Sequence, residues 1–270
     1  MMEKELKEMS FLDHLEDLRW LLIRITIAVI VIACLSYFII DFIFEDVIFA
    51  PIRTDFITYK LFCELTTYLH TDDGGMCVTE MPFIIQSTDM GGQFSVFIWT
   101  CITCGFILGF PYILWEIWKF ISPALYKNEK KNAILFITTS SILFFIGVLF
   151  GYFLILPLSV QFFGAFNVSK VIQNEFNLDN YMGMVKTSVI SCGLIFELPI
   201  IIYFLTKLGL VTAASLREYR RYAIVIILIV AAIITPPDIL SQIIVSIPLL
   251  VLYEASILIA IMVNKKQQNV

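Results

Sequence analysis

Histidine is nearly absent from this chain: His14 and His70 are the only two in 270 residues, and neither falls in an apolar run. No His-Glu-x-x-His or Gly-x-Ser-x-Gly segment occurs either, which argues against a membrane metalloprotease or serine hydrolase, and no enzymatic role is expected. Charge is scarce as well. Only 15% of residues are Asp, Glu, Lys or Arg, against about a quarter in soluble domains, while 59% are hydrophobic and the mean hydropathy is +0.89. A soluble fold is excluded by that balance. The net charge of -5 comes largely from one external loop, and no basic surface exists for nucleic acid. Glu3, Glu5 and Glu8 make the start too acidic for a cleavable targeting sequence. No internal repeat of the inverted-transporter kind is present. Cys101-Ile102-Thr103-Cys104 has metal-ligand spacing but neither a second pair nor a nearby His, so no metal or other cofactor is expected.

What is present is a set of long apolar runs. They predict an all-α integral membrane protein with six transmembrane helices, at about Leu21–Phe44, Phe94–Trp118, Ala133–Leu158, Tyr181–Leu205, Tyr222–Ile234 and Ile239–Val263. The corresponding domains are a cytoplasmic amphipathic N-terminal helix (1–20), the membrane bundle (21–265) with an extended external loop at 41–93, and a tail (266–270). The fifth span is short, because its core from Ala223 to Ile234 reaches only about 18 Å at 1.5 Å per residue. Fourteen of the eighteen Lys and Arg, from Lys4 to Lys266, fall on one side of these spans. Only Arg53, Lys60, Lys170 and Lys186 fall on the other, so both termini are expected in the cytoplasm.

Polar residues inside that apolar frame are the candidates for function. Glu197 sits in a run apolar enough to span a bilayer, where a charge costs at least about 2.5–3.5 kcal/mol. Pro199 removes a helix N–H two residues later and invites a kink beside it. Such an acid is either satisfied by a neighbouring helix or serves as a binding or coupling group; the second reading admits a proton-coupled small-solute transporter. At the N-terminus, Ser10 and Asp13 have the spacing of a helix cap. Phe11, Leu15, Leu18 and Leu22 form one apolar stripe, with Asp13, Glu16 and Asp17 outside it. Glu129 stands among Lys127, Lys130 and Lys131 in the first cytoplasmic loop, where the lysines act as topology signals and the acid does not. Cys63 and Cys77 both lie in the external loop, where an oxidising envelope permits a disulfide. Ser159–Asn180 reads as a polar external loop, and Thr235-Pro236-Pro237-Asp238 as a stiff outer turn.

Several segments together resemble the TatC family, the receptor subunit of the twin-arginine protein translocation system. They are Ser10-Phe11-Leu12-Asp13-His14-Leu15-Glu16-Asp17-Leu18-Arg19, Ala50-Pro51, and Phe120-Ile121-Ser122-Pro123-Ala124-Leu125-Tyr126-Lys127-Asn128-Glu129-Lys130-Lys131. Phe196-Glu197-Leu198-Pro199, Leu216-Arg217 with Arg220-Arg221, and Thr235-Pro236-Pro237-Asp238 with Ser241-Gln242 complete the set, in the family's order. The resemblance implies a non-enzymatic receptor and translocase core in the bacterial cytoplasmic (inner) membrane, exporting folded proteins at the expense of the proton-motive force. It implies a site for twin-arginine signal peptides at Glu16, Asp17, Arg19, Phe120, Pro123, Leu125, Tyr126 and Glu129. It also implies a concave bundle with short helices five and six, whose cavity involves Pro51, Glu197, Pro199, Thr235, Asp238 and Gln242. The implied partners are single-span TatA/TatB-type subunits, membrane lipid and further copies within a receptor complex. Asp17 departs from the family's usual Glu, one methylene longer.

Overall fold

The computed structural model describes residues 11–68, 77, 81, 83–122, 133–169 and 174–268. By contact density the chain divides into two compact units, Met1–Ile40 with Ile98–Ser141, and Asp41–Phe97 with Ile142–Val270. Helices dominate. Among the described residues, five helical runs are long and apolar enough to cross a membrane: His14–Tyr68, Gly92–Ile121, Ile134–Ala165, Leu178–Lys207 and Ser241–Lys265.

The first unit is built on α1 (Phe11–Ser36) and the greater part of α3 (Gly92–Ile121), which follows a helix in the second unit, α2 (Ile57–Tyr68). Gly105 and Gly109 form a small-xxx-small step that lets the two backbones approach. A Cβ on Gly105 would lie 2.5 Å from the Val29 carbonyl oxygen and 3.1 Å from the Ala33 Cβ. The stripe of Leu15, Leu18 and Leu22 does not make this contact: all three are exposed, and Leu21 is the residue buried. Helix α4 (Ala133–Phe150) joins the unit through Phe136, whose ring stacks on Trp118 at 4.9 Å.

The second unit holds the rest. A wide turn at Gly151–Ile155 links α4 to α5 (Leu156–Ala165). Pro157 has no N–H to give the Phe153 carbonyl in an α-helical register, and Thr58 Oγ1 of α2 donates to that oxygen at 2.6 Å. Tyr59 donates to the carbonyls of both Pro51 (2.8 Å) and Pro157 (3.2 Å). The described residues of segment 41–93 are therefore structured, not a simple loop. Its strand β1 (Phe83–Gln86) pairs in parallel with β2 (Asn174–Asn177). That ladder amends the all-α expectation and gives shape to Ser159–Asn180, half of whose residues lie in α5 and β2.

Cys63 and Cys77 are joined by a disulfide, with Cα atoms 4.6 Å apart across a sequence separation of 14. Closing a loop of about 15 residues is worth about 3 kcal/mol on the chain-entropy estimate. Cys77→Ser should accordingly lower the thermal midpoint of the purified protein; an unchanged midpoint would show that the bridge contributes little.

Beyond β2 come α6 (Leu178–Phe196), α7 (Leu198–Lys207), the short α8 (Ala213–Glu218), α9 (Arg220–Ile234) and α10 (Ile239–Gln268). Asn177 caps α6 by accepting from the Asp179 N–H. Gly209, at φ +75°, closes α7: its N–H reaches the Thr206 carbonyl while Leu210 N–H reaches Leu205, the pattern that requires left-handed backbone. Phe144 is fully buried against Gly193, and Ile155, Cys192, Phe196, Ile227, Ala231 and Val245 share one apolar cluster. The hydroxyls of Ser159, Ser246 and Ser256 each donate to the carbonyl four residues back. Helix α9, at 15 residues, is about 22 Å long and falls short of a ~30 Å hydrocarbon core. Helix α10 runs unbroken for 30 residues through Pro248, which corrects the expectation of a short sixth helix.

Candidate functional site

The expected signal-peptide residues divide between what is described and what is not. Pro123, Leu125, Tyr126 and Glu129 lie outside the described residues, as does Ser10 of the expected cap, with the side chain of Asp13. Glu16, Asp17, Arg19 and Phe120 are placed, and the helical period sorts them. His14, Asp17, Leu21 and Arg24 follow one another at i, i+3, i+7 and i+10, on one face of α1. Two of them meet α3, the His14 ring stacking on Phe120 at 4.6 Å and Arg24 bonding Glu116, and Leu21 between them is buried. Asp17 shares that face and is exposed. Glu16 points elsewhere, pairing with Arg19 at 3.4 Å, with both side chains more than half exposed.

Glu116 went unnoticed in the sequence. It is 1% exposed, with Arg24 Nε 2.7 Å from Oε2 and Lys119 Nζ 2.7 Å from Oε1. One signal for it was available, an acid in an apolar run three residues before a lysine. The Arg24 pairing, across 92 residues, had none.

Cations at the ends of the spans lie over aromatic rings on their own helices. Arg19 is 5.5 Å from Trp20 and Lys119 5.5 Å from Trp115 in the first unit, with Lys207 5.3 Å from Tyr203 and Arg221 5.0 Å from Tyr222 in the second. Trp and Tyr beside Lys and Arg favour the headgroup layer, so these pairs mark that level on each unit.

In the second unit, Glu197 sits at the break between α6 and α7, 7% exposed, with Pro199 in the first turn of α7. The expected kink is thus present. Phe196 packs in the cluster that contains Ala231 of α9, and Thr235 Oγ1 donates to the Ala231 carbonyl at 2.9 Å. Gln242 Nε2 donates to the Leu228 carbonyl at 3.1 Å. Asp238 serves the backbone, its carboxylate accepting from the Ser241 N–H at 2.8 Å to cap α10. Pro51 lies in the turn Ala50–Ile52, tied to Tyr59 rather than to the α6–α7 break. Among the described residues, no group of three or more His, Cys, Asp or Glu could hold a metal ion.

Comparison with known proteins identifies the family. The family model "Sec-independent protein translocase protein (TatC)" matches residues 13–248. A protein of that description from Blattabacterium sp. subsp. Periplaneta americana is 42% identical over 266 residues, 98% of this chain and all of that protein. The Aquifex aeolicus relative is 32% identical over 97% of this chain and 99% of its own. A crystal structure described as the twin-arginine translocase receptor TatC superposes with TM-score 0.66 at 28% identity, covering 93% of this chain and 99% of that one. A second, in DDM, gives 0.68 at 30% identity over 92% and 99%. These are translocase components and lend no support to a solute carrier. On a match that runs through nearly the whole length, in sequence and in fold, the chain belongs to the Sec-independent protein translocase (TatC) family.

Proposed function

We propose that this protein is the twin-arginine signal-peptide receptor and membrane core of a Tat translocase, with six spans and both termini in the cytoplasm. Its site consists of Asp17 on α1 and Glu129 in the following cytoplasmic loop, with Phe120, Pro123, Leu125 and Tyr126 as the apolar and aromatic surround. The observation that carries this reading is the position of Asp17: exposed, yet on the face of α1 that packs against the helix leading into that loop. Two carboxylates suit two guanidinium groups, which stay charged and can be gripped through both nitrogens. Glu197 with Pro199, Thr235 and Gln242 then forms the membrane-depth contact for the hydrophobic segment of the signal or for a single-span TatA/TatB-type partner. The 15-residue α9 suits local bilayer thinning, which lowers the cost of carrying a folded cargo across. The proton-motive force drives transport in the inner membrane, and copies of the chain associate within a receptor complex.

A photo-cross-linker at position 129 in native membranes tests the reading. It should capture a precursor whose signal bears two arginines and lose it when both become lysines. Equal capture of the two precursors would refute the receptor role.

A further inference from the structure

The triad Arg24–Glu116–Lys119, a buried carboxylate between two half-exposed cations, lies outside the proposed peptide contacts. Glu116 is too buried to touch a peptide, and its two charge-assisted bonds at 2.7 Å, one to each neighbouring cation, leave little room for another ligand. What it does touch is informative. Arg24 is on α1, seven residues, or two turns, from Asp17 on the same face; Glu116 is on α3, one turn before Phe120. Phe120 in turn stacks on His14. The contact of Gly105 with Val29 and Ala33 secures the α1–α3 pair further along, but small residues permit helices to slide and rotate past one another. A carboxylate held by one cation from each helix fixes both rotation and axial register.

We propose that Glu116 is a positioning residue for signal-peptide recognition, locking α1 on α3 through Arg24 so that Asp17 is presented at a fixed place. This inference rests on the receptor function proposed above. It also accounts for Arg24, a guanidinium that in isolation would repel a twin-arginine ligand: bound to Glu116, it serves the register of its own helix instead.

The test separates geometry from charge. Full-length protein in nanodiscs is titrated with a labelled twin-arginine signal peptide and with its twin-lysine counterpart. Glu116→Gln should weaken twin-arginine binding about tenfold or more, and leave twin-lysine binding unchanged, so that the ratio between the two falls. A double variant, Arg24→Gln with Glu116→Gln, keeps the parental net charge and should remain weak. The inverted triad, Arg24→Glu, Glu116→Arg and Lys119→Glu, rebuilds the pairing with opposite sign and should regain the parental ratio. A parental ratio in Glu116→Gln overturns the proposal, and so does recovery in the double variant. If Glu116→Gln does not fold, the inverted triad decides: folded protein with the parental ratio supports the lock, and folded protein with a collapsed ratio refutes it. A parent that binds both peptides equally would instead refute the receptor reading itself.

Discussion

Asp17→Asn combined with Glu129→Gln is expected to lower the affinity for a twin-arginine signal peptide by about two to four decades. Each charge-assisted hydrogen bond contributes about 1.5–3 kcal/mol, so the pair accounts for about 3–6 kcal/mol. Each single change should remove roughly half of that energy. The loss should fall on arginine far more than on lysine, since a planar fork meets both carboxylate oxygens and a point charge does not. Asp17→Glu, one methylene longer, should bind at least as well as the parent. Glu16→Gln is the matched control: the residue is next door in sequence but already engaged with Arg19, away from the α3-facing side. Titration of peptide fluorescence against purified protein measures all five variants. Should Glu16→Gln cost as much as Asp17→Asn, the assignment of the site to one face of α1 would be wrong.

Gly147→Leu should abolish accumulation of folded protein, the largest structural effect expected from a single substitution. A Cβ at position 147 would lie 2.5 Å from the Cys192 carbonyl oxygen, 2.8 Å from the Phe196 Cβ and 2.9 Å from the Gly193 Cα. None of these is the free end of a side chain, so α4 and α6 must separate. Inserting extra methylenes into a packed core costs about 1–3 kcal/mol, and forcing two backbones apart at their closest approach costs more. The separation would also uncover Phe144 and displace Phe196, the neighbour of Glu197. Gly183→Ala makes the comparison clean: nothing lies within 4 Å of a Cβ there. Replacing a mid-helix glycine by alanine stabilises by about 0.5–1 kcal/mol. Size-exclusion profiles of the two variants in detergent should therefore diverge, and a well-folded Gly147→Leu would contradict such close packing of α4 on α6.

Particular residues show why some features could be read in advance and others could not. Pro199 lacks an N–H wherever the chain goes, and Glu197 is costly in any bilayer, so their break in the fourth span follows from local chemistry. The same holds for the stiff turn at Pro236 and Pro237. The Leu15–Leu18–Leu22 stripe is exposed for a physical reason: in a membrane protein the most apolar face of a helix can turn to lipid, while the packing face carries small or paired polar groups such as Gly105 and Glu116. Helix α2, with its mixed composition, and the four-residue strands β1 and β2 carry too weak a periodic signal to be distinguished from loop.

By itself, the sequence determined the membrane and the break at Glu197 and Pro199, because hydropathy and proline act locally; its six apolar runs correspond, among the described residues, to five helical runs long and apolar enough to cross a membrane. Tertiary structure alone decided which acid on α1 faces α3, that Arg24 belongs to Glu116, and that Thr58 and Tyr59 serve the carbonyls around Pro157. Each of those depends on groups about ninety or more residues apart meeting within hydrogen-bond distance, and no local pattern encodes such a meeting.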